Sequence, residues 1–234
     1  MSFSWNTGSS GNDSAGVKMK VIQTWDDGIV DDVRLVEILR GHNARATFCL
    51  NPGLYGRERS LGWIHENKEV WRLSIGELPH VYEGLEVCSH SMTHPYLTHL
   101  PAELLDWEVT ASRDMLQEIF RKPVLGFCYP FNTWNEVVKA ALRSAGYLWA
   151  RGGHDNAGLF PPRDPLEFNF SCHFLSPDFW PMFDAAKERN SVFSFWGHSF
   201  EMANDAMWQD FEGTLKKISE DQDAEWSFVN DLFV

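Results

Sequence analysis

From residue 17 onward, short β-branched and aromatic runs trade places with longer stretches whose apolar side chains recur every three or four positions. A period of two suits a strand and a period of 3.6 suits a helix, so this alternation predicts repeated βα units. Strands are expected at 17–24, 46–50, 85–89, 126–129, 147–150, 168–174 and 191–196, with a last short one at 226–228. Helices are expected at 30–40, 101–121, 133–145, 177–189 and 203–219, and the stretch 60–83 reads as helix plus irregular structure. Such units place parallel strands inside and helices outside. About seven of them predict an α/β fold that closes, or nearly closes, into a barrel, with the functional groups at the C-terminal ends of the strands.

Other classes fall away on composition. With 44% hydrophobic and 14% aromatic residues, the chain can bury a large core, which excludes disorder for most of its 234 residues. Residues 1–16 are rich in Gly, Ser and Asn and predict a flexible N-terminal tail, leaving 17–234 as a single domain. A formal charge of −13 repels phosphate backbones and anionic lipid, so neither nucleic acid nor membrane is expected as a partner. That balance fits a neutral or cationic substrate, or simply a soluble acidic protein. No export signal is visible, which predicts a cytoplasmic protein, or a secreted one whose signal has been removed. Cys49, Cys88, Cys128 and Cys172 are far apart and sit in apolar runs, so buried, reduced thiols are expected.

The residues just past each strand carry the chemistry. The first strand delivers Asp26 and Asp27, the third His90 and His94, the fourth Tyr129 and Phe131, and the 191–196 strand His198. Two histidines four apart share a side of a helical turn and can hold one metal, or are simply exposed polar residues. Adjacent carboxylates repel when buried, and a dication would relieve them; one as ligand and one as general base is a sensible division, and a helix-entry pair is the plain alternative. His198 suits a general acid, since imidazole titrates near neutral pH. His42, His65, His80, His99, His154 and His173 lack such a context and read as surface or structural.

These residues resemble the motifs of the polysaccharide deacetylase family, the NodB-like carbohydrate esterases of family 4. Thr24-Trp25-Asp26-Asp27-Gly28 resembles T-F-D-D-G, His90-Ser91-Met92-Thr93-His94-Pro95 resembles H-S/T-x-x-H, and Trp196-Gly197-His198-Ser199 falls where the family carries its final histidine. The resemblance implies an irregular (β/α)7 barrel. It implies one divalent metal ion on Asp27, His90 and His94: zinc in relatives, with Co2+, Mn2+ or Ni2+ as alternatives. It implies Asp26 as general base, His198 as general acid, the backbone N–H of Phe131 as oxyanion donor and an N-acetylated carbohydrate as substrate.

Two departures stand out. The family's third motif often supplies an arginine to the base, but here the run is Cys128-Tyr129-Pro130-Phe131, similar to a branch without that arginine. Arg151, at the end of the next strand, is the expected replacement, with a plain structural salt bridge as the alternative. The stretch that tunes the final histidine has no clear counterpart; Asp155 is a candidate. Trp25, Tyr129, Phe131, Trp196 and Phe200 are expected around the mouth as a sugar-stacking surface, with core packing as the alternative. Glu201 reaches the site from the last loop or is a rim carboxylate without a role. Two other functions stay open: hydrolysis of a non-sugar amide or O-acetyl ester on the same scaffold, and a weakly catalytic sugar- or metal-binding protein.

Overall fold

The computed structural model describes residues 18–153 and 160–234. The expected tail at 1–16, and with it His154 and Asp155, lies outside the described residues. The first strand, β1 (Met19–Asp26), runs into α1 (Asp32–Gly41), followed by β2 (Thr47–Leu50). A hairpin of β3 (Ser60–His65) and β4 (Lys68–Arg72) and the short α2 (Leu78–Val81) precede β5 (Glu86–Ser89). Next come α3 (Ala102–Asp106), a π turn at Trp107–Ala111 and α4 (Ser112–Phe120), one rod over 102–120. The second half holds β6 (Gly126–Cys128), α5 (Glu136–Ala145), β7 (Trp149–Gly152), β8 (Phe168–Asn169), β9 (Cys172–His173), α6 (Phe179–Glu188), β10 (Val192–Gly197), α7 (Asp205–Glu220) and β11 (Ala224–Trp226).

The main sheet is parallel throughout, in the order β8-β7-β6-β5-β2-β1-β10-β9, with β11 also against β1. Its two ends are one stretch of chain. Phe168–Asn169 pairs with β7 and Cys172–His173 pairs with β10, so a single broken strand touches both neighbours and rounds the sheet into a barrel. Counted as one, these give the seven principal strands of an irregular (β/α)7 barrel.

Strand parity sorts the side chains. Ile22, Cys49, Cys88, Cys128 and Trp149 pack together inside the barrel, while Val21, Trp25, Phe48, Phe127, Tyr129, Phe193 and Phe195 face the helices. All four cysteines are buried. Gly126 is required by close approach, because a Cβ there would meet the Trp149 ring at 1.9 Å.

Most of the expected elements appear, with informative differences. The segment 60–72 is an antiparallel hairpin rather than a helix, turned by Glu66 and Asn67 at φ 46° and 69°. α5 starts at Glu136 because the Asn135 side chain caps the N–H of Val138, and it ends at Gly146 with φ 86°. The strand expected at 147–150 begins at Trp149 because Tyr147 still bonds back to Leu142 O. The last strand ends at Trp226 rather than beginning there. Among the described residues, no helix is long and apolar enough to cross a membrane.

Candidate metal centre and active site

β1 alternates Ile22, Thr24 and Asp26 toward the barrel interior, so the next residue, Asp27, would face outward in an extended strand. It does not continue the strand. Asp27 adopts φ 78° and Gly28 φ 63°, and this left-handed turn swings the Asp27 carboxylate over the mouth. Gly28 has no substitute there: the Tyr55 hydroxyl, which donates to Asp27 O at 3.0 Å, occupies the space a Cβ would need.

His90 follows β5 at inward parity. Its Nδ1 lies 2.9 Å from Cys128 O, which leaves Nε2 facing the mouth. The chain then coils through Ser91 (φ 66°) to His94 (φ 61°), and the Ser91 hydroxyl accepts from His94 N at 2.9 Å. Strained backbone at Asp27, Ser91, His94 and Phe131 is thus gathered round one point. One ligating atom from each of Asp27, His90 and His94 lies within 4.8 Å of the other two. One ion with bonds of about 2 Å can reach all three with small side-chain adjustments. The donor set, one carboxylate and two imidazoles, fits a borderline divalent metal and leaves positions open for ligands. Burial holds both imidazoles in the neutral, ligating form: the His90 pKa falls to about 3, helped by nearby His94, and that of His94 is lowered too.

Asp26 and Arg151 meet beneath this triad. Both face inward from their strands, both are buried, and Arg151 Nη2 donates to Asp26 Oδ1. Burial pushes the Asp26 carboxyl well above the usual carboxylate range, against the pull of the Arg151 charge. The guanidinium also lies 5.4 Å from the Phe170 ring and 5.6 Å from that of Trp196. Cys49 and Cys128 also approach Asp26 closely enough to form a metal-ligand set, but Arg151 already neutralises that carboxylate.

His198 stands opposite, its Nε2 3.9 Å from Asp27 Oδ2. Glu201 Oε2 accepts from His198 N at 2.8 Å and lies 3.2 Å from His198 Nδ1 and 3.0 Å from His173 Nε2. Burial alone would lower the His198 pKa, but the Glu201 bond and the charges of Asp27 and Asp26 raise it to about 9. Glu201 therefore favours the charged form of the His198 imidazole. His173, expected to be surface or structural, lies beside this cluster through its contact with Glu201.

The aromatic expectations divide. Phe131 (φ 55°) is 46% exposed, stacks on Tyr96 at 3.9 Å and sets its edge 4.5 Å from His94, so it forms the rim. Trp196 walls the interior between Arg151 and His173, with its indole N–H buried and unbonded. Trp25 and Tyr129 must be corrected. Parity turns them outward: Trp25 is fully buried against Phe174, Phe195 and Phe211, and Tyr129 stacks on Trp134 and donates to Leu166 O at 2.8 Å. Neither can touch a substrate in the mouth. Phe200 packs against Trp63 and His198.

Two supporting carboxylates have no counterpart in the sequence expectations. Asp32, fully buried, accepts from Ser199 Oγ (2.6 Å), Tyr82 Oη (2.6 Å) and Ile29 N (3.2 Å), tying together the loops that carry His198 and Asp27. Glu108, on the π turn, accepts from Thr93 N at 2.9 Å and from the Thr93 hydroxyl, fixing the loop before His94. π turns recur at such functional positions.

The model of the polysaccharide deacetylase family matches residues 14–150. No curated protein matches the chain. Among solved structures, a Mycobacterium smegmatis protein assigned as a polysaccharide deacetylase superposes with a TM-score of 0.67 at 14% identity, over 96% of this chain and 92% of that one. A mutant of a family-4 carbohydrate esterase pseudoenzyme, with restored activity, gives 0.59 at 18% identity over 94% and 68%. The Streptococcus pyogenes deacetylase PplD, in complex with acetate, gives 0.52 at 19% over 62% of this chain, which spans 61% of that protein. Identities this low speak for the fold alone.

Proposed function

The chain belongs to the polysaccharide deacetylase family, and on that premise we propose that residues 17–234 form one catalytic domain, a metal-dependent hydrolase removing N-acetyl groups from an acetylated amino sugar or polysaccharide. The observation that carries this reading is the convergence of three groups on one mouth: the triad Asp27, His90 and His94, the Asp26–Arg151 pair beneath it, and His198 with Glu201 across it.

A divalent ion held by the triad, zinc or alternatively cobalt, manganese or nickel, supplies a lowered water pKa and a polarised amide carbonyl. Asp26 takes the proton of the attacking water, and Arg151 fixes which carboxylate oxygen faces it. The N–H of Phe131 donates to the developing oxyanion. His198, kept charged by Glu201, protonates the leaving nitrogen as the C–N bond breaks. The products are the free amino sugar and acetate. Phe131 and Trp196 bound the space above and beside the reacting group, where aromatic faces suit the C–H faces of a sugar ring.

Acetate release from N-acetylated and O-acetylated sugars, measured with metal-stripped and metal-restored protein, tests this. Asp27→Asn should lose stoichiometric metal. Asp26→Asn should keep the metal and lose about 10²–10⁴ in turnover, the usual worth of a general base. A fully active Asp26→Asn variant, or metal-independent acetate release, would refute the mechanism.

A further inference from the structure

The cavity beside the triad contains a cation that the chemistry above does not use. It measures about 340 Å³ and is lined by Asp27, Leu54, Trp63, Arg72, Thr93 and His94. Trp63 and Arg72 come from the β3–β4 hairpin, which is zipped along the residues just after Asp27. Val30 N donates to Trp71 O at 2.8 Å, Leu73 N to Gly28 O at 3.5 Å, and Ile29 forms a bridge with Arg72. The hairpin's other flank is fastened to the His198 loop through Trp63 and His65, whose rings lie 5.3 and 4.8 Å from that of Phe200. Arg72 is therefore held at a fixed place beside the reacting centre.

Its guanidinium is positioned by apolar groups. The Cζ sits 5.3 Å from the Trp63 ring centroid, and Nη1 lies over Gly62, where a Cβ would come within 3.0 Å of it. Among the described residues, Arg72 forms no ion pair and donates no side-chain hydrogen bond. By contrast Arg34, Arg45, Arg59, Arg143 and Arg151 each hold a carboxylate. Asp27 shares the cavity but lies 3.9 Å from His198 instead. In a chain of net charge −13, a half-buried guanidinium left without a carboxylate beside the candidate centre is set for an anion that arrives with the substrate. Its planar fork matches a carboxylate with two parallel N–H···O bonds.

We propose that the acetylated amino sugar accepted here carries a carboxylate on the same ring as its acetamido group, and that Arg72 binds that carboxylate; the proposal rests on the deacetylase reading for the placement of the acetamido group. The overall charge of the chain points toward neutral or cationic substrates, but Arg72 offers one cationic point on the cavity wall.

The test pairs equilibrium binding with turnover. The full-length chain is titrated calorimetrically with N-acetylglucosaminuronic acid, N-acetylglucosamine and N-acetylglucosamine 6-sulfate, and acetate release is followed from the same sugars with metal restored. The uronic acid should bind at least about tenfold more tightly than the neutral sugar. Arg72→Gln should cut that preference by about ten- to hundredfold, the usual range for hydrogen bonds to a charged group, through KM rather than kcat. Arg72→Lys should restore part of it. Equal binding of the acidic and neutral sugars, or a preference that survives Arg72→Gln, overturns the proposal. A preference for the sulfated sugar replaces the carboxylate with a tetrahedral anion and also overturns it. Arg72-dependent binding of the uronic acid without acetate release upholds the carboxylate subsite and removes the deacetylation.

Discussion

Replacing Arg151 with Met isolates the pair at the bottom of the site. The two side chains are 1% and 4% exposed, so Asp26 would lose its counter-ion with almost no water to replace it. Breaking a buried pair by removing one partner costs about 3–5 kcal/mol. Asp26 can escape that cost only by taking up a proton. Below the ordinary aspartate pKa of about 3.9, folded and unfolded chains are both protonated and the variant carries no charge penalty. Above it the unfolded chain releases its proton and the folded variant does not, so stability falls with rising pH at about 1.4 kcal/mol per unit. Burial already lifts the Asp26 carboxyl in the wild type, so both chains lose stability together at first; the deficit opens only above the wild-type Asp26 pKa and should be small at pH 4.5 and larger at pH 8, toward at most about 3–5 kcal/mol. Urea denaturation of wild type and Arg151→Met at the two pH values measures it. Turnover at neutral pH should fall by about 10²–10⁴, since a protonated Asp26 cannot act as a base, with metal content unchanged. Adding Asp26→Asn should recover the stability and not the rate. A stability gap independent of pH, or a variant with wild-type turnover, would refute the coupling of Arg151 to Asp26.

Two further changes probe the supports. Glu201→Gln keeps an accepting oxygen but removes the negative charge that helps keep His198 protonated. Because a general acid works only below its pKa, activity should decline as pH rises toward about 9, and this alkaline limb should move to lower pH in the variant; an unmoved limb in the kcat profile would dissociate Glu201 from His198. Asp32→Asn keeps the shape but sets an N–H₂ among three donors, which should cost about 1–3 kcal/mol and lower kcat as the Asp27 and His198 loops loosen together; unchanged stability in thermal unfolding would sink this.

Much of the site was legible in the sequence because chemistry-bearing residues sat just after runs with clear strand character. Asp26-Asp27, His90 with His94, and His198 all follow β-branched or aromatic strands, and barrel logic alone sends them to one end. Arg151 was reachable by the same logic, although it contacts a residue 125 positions away. Trp25 and Tyr129 were misplaced because chemical type was read before parity: if Asp26 faces inward, its neighbour Trp25 must face the helices, and Cys128 fixes Tyr129 likewise. The hairpin at 60–72 escaped notice although its signal is present, with period-two residues flanking Glu66-Asn67 in left-handed conformation. Glu201 also had a local signal, standing three residues after His198 as in a capping box. Glu108 had none, since its role depends on a π turn that no residue type announces. Arg72 acquires meaning only once the hairpin is folded against Ile29.

The broken strand at 168–173 gives the barrel a seam. Closure here depends on a strand broken into two-residue pairings, with a clasp on the β10 side in which Ser171 N donates to Ser194 O at 2.9 Å and Ser194 N to Ser171 Oγ at 3.2 Å. If that clasp unzips, β10 becomes an open edge while it stays paired with β1 and β8 stays on β7, so the backbone groups of Ser171 and Ser194 would exchange with solvent together. Arg151 and His173 stand on one lip and Trp196 on the other. The Asp27, His90 and His94 cluster sits away from this seam, whereas Arg151 and His173, which contact Asp26 and Glu201, stand beside it.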